Sequence, residues 1–215
     1  MTVKDYGNPD AGTVLVQAVD NNSIEMIENE VRMITELTGA DFCLKAMVID
    51  DWFRDLSPWQ SPAVFGNNAF GDGAGDTLDY ILDRCQDKDR TYYIGGYSLS
   101  GLFALWTAFQ TDTFRGVAAA SPSMWFPGFT DYMKNHDIGC DLVYLSLGDR
   151  EAKTKNKVMA TVDDCILTAH ETLSAQGVTC TLEWNKGNHF TDADKRCAQA
   201  FAWIMSVTRS ITPMS

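Results

Sequence analysis

Basic residues are scarce in this sequence: 17 Lys and Arg stand against 29 Asp and Glu, for a formal net charge of −12 and a sequence pI near 4.5. Neutralising the phosphates of a nucleic acid requires clustered Lys and Arg, so that class of partner is excluded. Docking on an anionic membrane gains no support either. The acidic balance does not by itself point to a basic substrate. No apolar run approaches the roughly 20 residues of a bilayer-spanning helix. The first ten residues hold no basic-then-apolar pattern, so no secretion signal is expected and the chain reads as cytoplasmic. Cys43, Cys85, Cys140, Cys165, Cys180 and Cys197 include no CxxC pair, so neither a metal nor any other cofactor is expected. Several of these thiols lie in apolar segments, where free cysteine behaves as a small hydrophobe. A disulfide is not expected in such a compartment.

What remains is an ordinary globular composition, 45% hydrophobic and 21% charged. The 215 residues suffice for one domain with a sizeable core, taken as 1–215. β-rich runs alternate with segments of helical periodicity. Thr13 to Val19 reads as a buried strand. Ser23 to Thr38 reads as a helix, with Asn22 and Glu25 at capping-box spacing and Gly39 as its stop. Phe42 to Ile49 is a second strand, and Lys45 within it suggests an edge. Thr91 to Ile94, Gly116 to Ala120, Leu142 to Leu147 and Thr179 to Trp184 continue the strands. Helices are expected over Thr77–Cys85, Leu102–Phe109, Asn156–Leu173 and Asp192–Val207. Alternation of this kind predicts a parallel sheet with helices on both faces. Residues 50–75 form a long irregular stretch rich in aromatics, and a loop of that length is usually functional.

The chemistry concentrates just past strand ends, where parallel sheets place their sites. Gly95-Gly96-Tyr97-Ser98-Leu99-Ser100-Gly101 follows one strand, Asp149 and Glu151 follow another, and His189 follows the last. A serine hydroxyl is a poor nucleophile until an imidazole accepts its proton. The imidazole in turn needs a carboxylate to hold its tautomer. The order Ser, acid, His is one of the known orders of that triad. A turn serine or a phosphate loop would also account for the glycines, but the Walker lysine is absent and no GxxG follows. His136 lies in a polar loop and His170 on a helix, which leaves His189 among the three histidines. The fifth position of the elbow is Ser100 where glycine is usual.

Four segments together resemble the esterase D-like α/β-hydrolases, the group of enterochelin, feruloyl and acetyl esterases. They are Gly96–Phe103, Ala120–Trp125, Leu147–Glu151 and Gly187–Phe190, all between residues 96 and 190. The resemblance implies carboxylic ester hydrolysis through an acyl-enzyme, without naming the ester. It implies Ser98 as nucleophile, His189 as base, and Glu151, or alternatively Asp149, as the acid. The oxyanion would be held by the backbone of Leu99 together with Asp20 or Asn21. Trp52, Trp59 and Trp125 would line the substrate pocket, or else cover the core at the site end. The fold expected is a trimmed α/β-hydrolase sheet of about six strands, lacking the usual first two. Strand 42–49 would then be an exposed edge, free to pair in a homodimer. Other readings stay open: a thioesterase or acyltransferase on the same triad, or a non-catalytic binding protein on the same scaffold.

Overall fold

The computed structural model describes residues 1–211. Its centre is a seven-stranded sheet of order β1-β3-β2-β4-β5-β6-β7. The strands are β1 (Thr2–Gly7), β2 (Thr13–Val19), β3 (Cys43–Val48), β4 (Thr91–Tyr97), β5 (Phe114–Ala120), β6 (Leu142–Gly148) and β7 (Thr179–Asn185). All neighbours pair in parallel except β1, which runs antiparallel to β3.

That first strand corrects the expected sheet. Its sequence, TVKDYG, leaves most positions wet and has no apolar alternation, so it carries no strand signal. Pairing comes from the partner, with Thr2 opposite Val48 and Gly7 opposite Cys43. Strand β3 is therefore interior, and the exposed edge that suggested a dimer is covered. Lys45 still tells of charge, but as a partner of Asp5 on β1, at 3.1 Å.

Strand residues alternate between two cores. Val14, Val16 and Ala18 face a cluster built with α3 (Ala74–Leu82), α4 (Leu99–Thr107), α5 (Phe129–Lys134) and α6 (Val162–Ala175). Leu15 and Val19 face the other, built with α1 (Ile27–Thr38) and α7 (Ala193–Ile211). Period-two alternation thus sends Gln17 to the α1–α7 side, where it has only polar work to do.

The entry to α1 differs from the expected capping box. Ser23–Met26 is a 3-10 turn, and Asn22 makes no side-chain cap. Asp20 Oδ1 accepts from the Ser23 amide instead, at 2.6 Å, because it already lies at the end of β2. Gly39 ends α1 in the left-handed region, as its position predicts. Residues 50–75 are packed rather than loose. They contain the short helix α2 (Trp52–Asp55) and a bridge between Ser61 and Phe70. Phe53, Phe65 and Phe70 meet edge-to-face within 6.4 Å of one another.

Candidate active site

The turn after β4 is tight because its glycines have no room for a side chain. A Cβ on Gly95 would lie 2.6 Å from Phe201 and 2.7 Å from the Ala118 carbonyl. One on Gly96 would collide with the Ser100 hydroxyl. The bend that results holds Ser98 at φ 60° and ψ −124°, a conformation that costs an L-residue on the order of 1–3 kcal/mol. Its carbonyl is pinned by the amides of Leu102 and Ser123, at 3.1 and 3.0 Å. Ser98 is thus fixed at the N-terminus of α4 with its hydroxyl lifted from the sheet.

Ser100 has a different task. It is fully buried inside α4, and its hydroxyl donates to the Ala18 carbonyl at 2.7 Å. The departure from glycine at this position is a helix-to-β2 tie, and it leaves Ser98 as the serine at the strained turn.

Two further strand ends converge on Ser98. Past β7, Gly187 takes φ 110° and turns the chain. Tyr97 then donates its hydroxyl proton to the His189 carbonyl at 2.9 Å. His189 Nε2 lies 2.9 Å from Ser98 Oγ, and His189 Nδ1 lies 2.7 Å from Glu151 Oε2. Past β6, the other oxygen of Glu151 accepts from the Gly148 amide, from Ser121 and from Arg196, each at 2.8 Å. Burial acts to raise the Glu151 pKa, but the His189 contact, the Gly148 amide and the Ser121 hydroxyl together hold it below the ordinary value. A carboxylate kept ionised beside an imidazole can hold one tautomer and stabilise its cation.

Asp149, the alternative acid, is exposed and turned elsewhere. Its Oδ1 accepts from the Gly187 amide at 2.9 Å and so ties the β6 loop to the β7 loop. Leu99 opens α4, so its amide has no intrahelical partner and stays available to an anion. Asp20 borders the cavity beside Ser98, whereas Asn21 is exposed and does not.

That cavity has a volume of about 530 Å³. Trp52 lines it, but Trp59 and Trp125 do not. Trp59 donates from Nε1 to the Pro127 carbonyl and packs against Phe126 and Phe129. Trp125 is buried against Phe65 and Phe70. The expected aromatic pocket is therefore split. Trp125 belongs to the core, and Trp59 packs half-buried against other rings away from the cavity.

The sequence reading missed Arg196, which sits in the first turns of α7 among polar residues and looks like a surface arginine. It is 1% exposed. Its guanidinium donates to Tyr97, Ser121, Glu151 and the carbonyls of Lys186 and Asn188, all within 3.3 Å. One planar fork thus joins the ends of β4, β5, β6 and β7.

Glu30 was missed as well. It is 2% exposed on α1, and Gln17 Nε2 donates to its Oε2 at 3.2 Å. Burial raises its pKa to about 8, the Gln17 bond opposes the rise, and the charge of Asp194 adds to it. The unfolded chain releases this proton near 4.5, while the folded chain keeps it to about 8. Stability therefore falls as pH rises between those values, by about 3 kcal/mol at pH 7. Glu30→Gln is expected to remove that slope and raise the unfolding midpoint at pH 7. Urea unfolding at pH 5 and pH 8 measures both; an unchanged pH dependence would contradict the assignment.

All six cysteines are free thiols. Among the described residues no group of three His, Cys, Asp or Glu side chains could hold a metal, and no helix is long and apolar enough to cross a membrane.

Solved structures share this architecture along nearly the whole chain. The siderophore hydrolase EstA from Aspergillus nidulans superposes at TM-score 0.67 with 19% identity, over 96% of this chain and 86% of that one. The chain has the α/β-hydrolase fold. A ferulic acid esterase matches at TM-score 0.60 with 13% identity, over 91% of this chain and 84% of its own. The enterobactin esterase FES from Shigella flexneri matches at TM-score 0.65 with 11% identity, over 96% of this chain but 55% of its own. No family model matches the chain, and no curated protein does. The hydrolase fold explains why three loops from separate strands meet: each leaves the same end of one parallel sheet.

Proposed function

We propose that this chain is a serine hydrolase acting on carboxylic esters through an acyl-enzyme. The observation that carries the reading is the continuous chain from Ser98 Oγ to His189 Nε2, at 2.9 Å, and from His189 Nδ1 to Glu151, at 2.7 Å. Its esterase neighbours of the same fold lend support.

In this mechanism His189 takes the proton of Ser98 as Oγ bonds to the ester carbonyl carbon. The oxyanion is held by the Leu99 amide at the head of α4, with a second backbone donor from the loop after β2. His189 passes its proton to the leaving alkoxide, and the alcohol departs. Water then attacks the acyl-Ser98 with His189 again as base, which frees the acid and restores the serine. Glu151 keeps Nδ1 protonated and balances the imidazolium. It moves no proton itself.

The test is a panel of short-chain, feruloyl and acetyl-sugar esters, with matched thioesters. Oxygen esters are expected to be turned over with the higher kcat/KM. A preference for thioesters would reassign the same triad to thioester chemistry. No turnover of any member would favour a binding protein on this scaffold.

A further inference from the structure

The cavity beside Ser98 contains more than the reacting groups need. It also reaches Gln17 on β2 and Glu30 on α1, which are 5% and 2% exposed. Their bond to each other uses one Gln17 N–H and one Glu30 oxygen. Gln17 Oε1 and Glu30 Oε1 are left buried with no hydrogen-bond partner. While Glu30 is protonated its own O–H can serve one of these oxygens; once it ionises both lack a donor, and an unmet buried acceptor costs on the order of 1–3 kcal/mol.

The rest of the lining says what kind. Asp20, Asp192 and Asp194 border the same cavity, and among the described residues no Lys or Arg does. The high pKa of Glu30 is what a buried carboxyl shows when no cation accompanies it. Ala18, Val19, Ile27 and Trp52 make the lining of the same cavity partly apolar, a fit for an alkyl linker. A metal ion would need a set of ligands that the described residues do not assemble. A hydroxyl brings one proton and no charge. A primary ammonium brings donors for both oxygens and a charge that the surrounding carboxylates favour.

We propose that Glu30 and Gln17 form a subsite for a substrate ammonium group, so that the preferred esters are amino esters. This deepens the ester-hydrolase reading and rests on it. On binding, the carboxyl of Glu30 gives its proton to solvent and faces the ammonium as a carboxylate. The amide oxygen of Gln17 accepts a second N–H.

The experiment uses esters that differ only at the far end. 6-Aminohexyl acetate is compared with heptyl acetate, and methyl 6-aminohexanoate with methyl heptanoate, so the amine is offered from either side of the ester. At least one amino ester is expected to exceed its isostere tenfold or more in kcat/KM. Glu30→Gln and Gln17→Leu are each expected to reduce that preference at least fivefold. No preference in either pair, or a preference that both variants retain, would overturn the subsite. A second readout does not need turnover. At tens of millimolar, 6-aminohexan-1-ol is expected to raise the Tm of the unmodified protein, and 1-hexanol is not. The shift is expected to vanish in Glu30→Gln. Absence of the amine shift in the unmodified protein would count against the subsite even if esters are hydrolysed. An amine shift without hydrolysis of any ester would support the subsite and strike only the hydrolase reading.

Discussion

Replacing Ser98 by alanine is expected to lower kcat/KM by roughly 10⁴–10⁶-fold on whichever ester is hydrolysed best. His189→Ala should lose nearly as much. The double variant should lose scarcely more than either single one, because the two groups act as a unit: a serine without its base is an ordinary hydroxyl, and a base without its serine has no proton to take. The structure adds a reason for the loss to appear in kcat. Ser98 is held in place by backbone bonds to Ala120, Leu102 and Ser123, at 3.0–3.3 Å. Removing its hydroxyl leaves those backbone bonds in place and gives up only the Oγ contacts to His189 and Ser123, at 2.9 and 3.3 Å. The unfolding transition of Ser98→Ala should therefore remain in place. Additive losses in the double variant would contradict the shared mechanism.

Arg196→Met carries the second large effect, on stability and activity together. The guanidinium is buried, and its ion pair with Glu151 spans 2.8 Å. Breaking a buried pair by removing one partner costs about 3–5 kcal/mol, since a charge is left behind. That is a large part of the 5–15 kcal/mol typical of a domain. Arg196 touches none of the reacting atoms; it positions Glu151 and, through the carbonyl of Asn188, the loop that bears His189. Arg196→Lys should rescue little, because a lysine ammonium cannot reproduce a fork reaching five acceptors. The pH dependence separates positioning from mere packing. The Glu151 pKa lies below its ordinary value, so its contribution is present above about 4.5 and lost as pH falls through the folded value. In Arg196→Met that loss should begin at higher pH, because the guanidinium 2.8 Å from Glu151 no longer offsets the burial of the carboxyl. Urea unfolding across the acid range and kcat/KM at pH 7 measure the lost stability and the lost positioning. A variant destabilised by less than about 1 kcal/mol, with kcat/KM unchanged, would contradict this role.

Much of the framework was legible because its signals are local. A β-run ending in Gly-Gly-Tyr-Ser-Leu-Ser-Gly announces a strand, a strained turn and a helix at once, and β4, Ser98 and α4 follow in that order. Glu151 and His189 could be shortlisted from their places after β6 and β7. Choosing between Glu151 and Asp149 needed coordinates, since a two-residue difference in a loop reverses which way a carboxylate points. Strand β1 was invisible because its polar sequence gains its structure from pairing with β3. The tryptophans illustrate the same limit from the other side: composition marked an aromatic region, but only packing showed that Trp59 and Trp125 lie against other rings while Trp52 reaches the cavity. Arg196, Glu30 and Gln17 are charged or polar residues that tertiary contacts bury, and no periodicity distinguishes them from a wet helix face or an ordinary strand position.

The most direct measurement is reaction with a fluorophosphonate, which phosphonylates a serine only when an adjacent base has activated it. Intact mass and peptide mapping should find one adduct, on Ser98. It should be absent from Ser98→Ala and His189→Ala and retained in Ser100→Ala, whose hydroxyl serves only the Ala18 carbonyl. No adduct on the folded protein, or an adduct on a different residue, would contradict the assignment of Ser98 as the nucleophile.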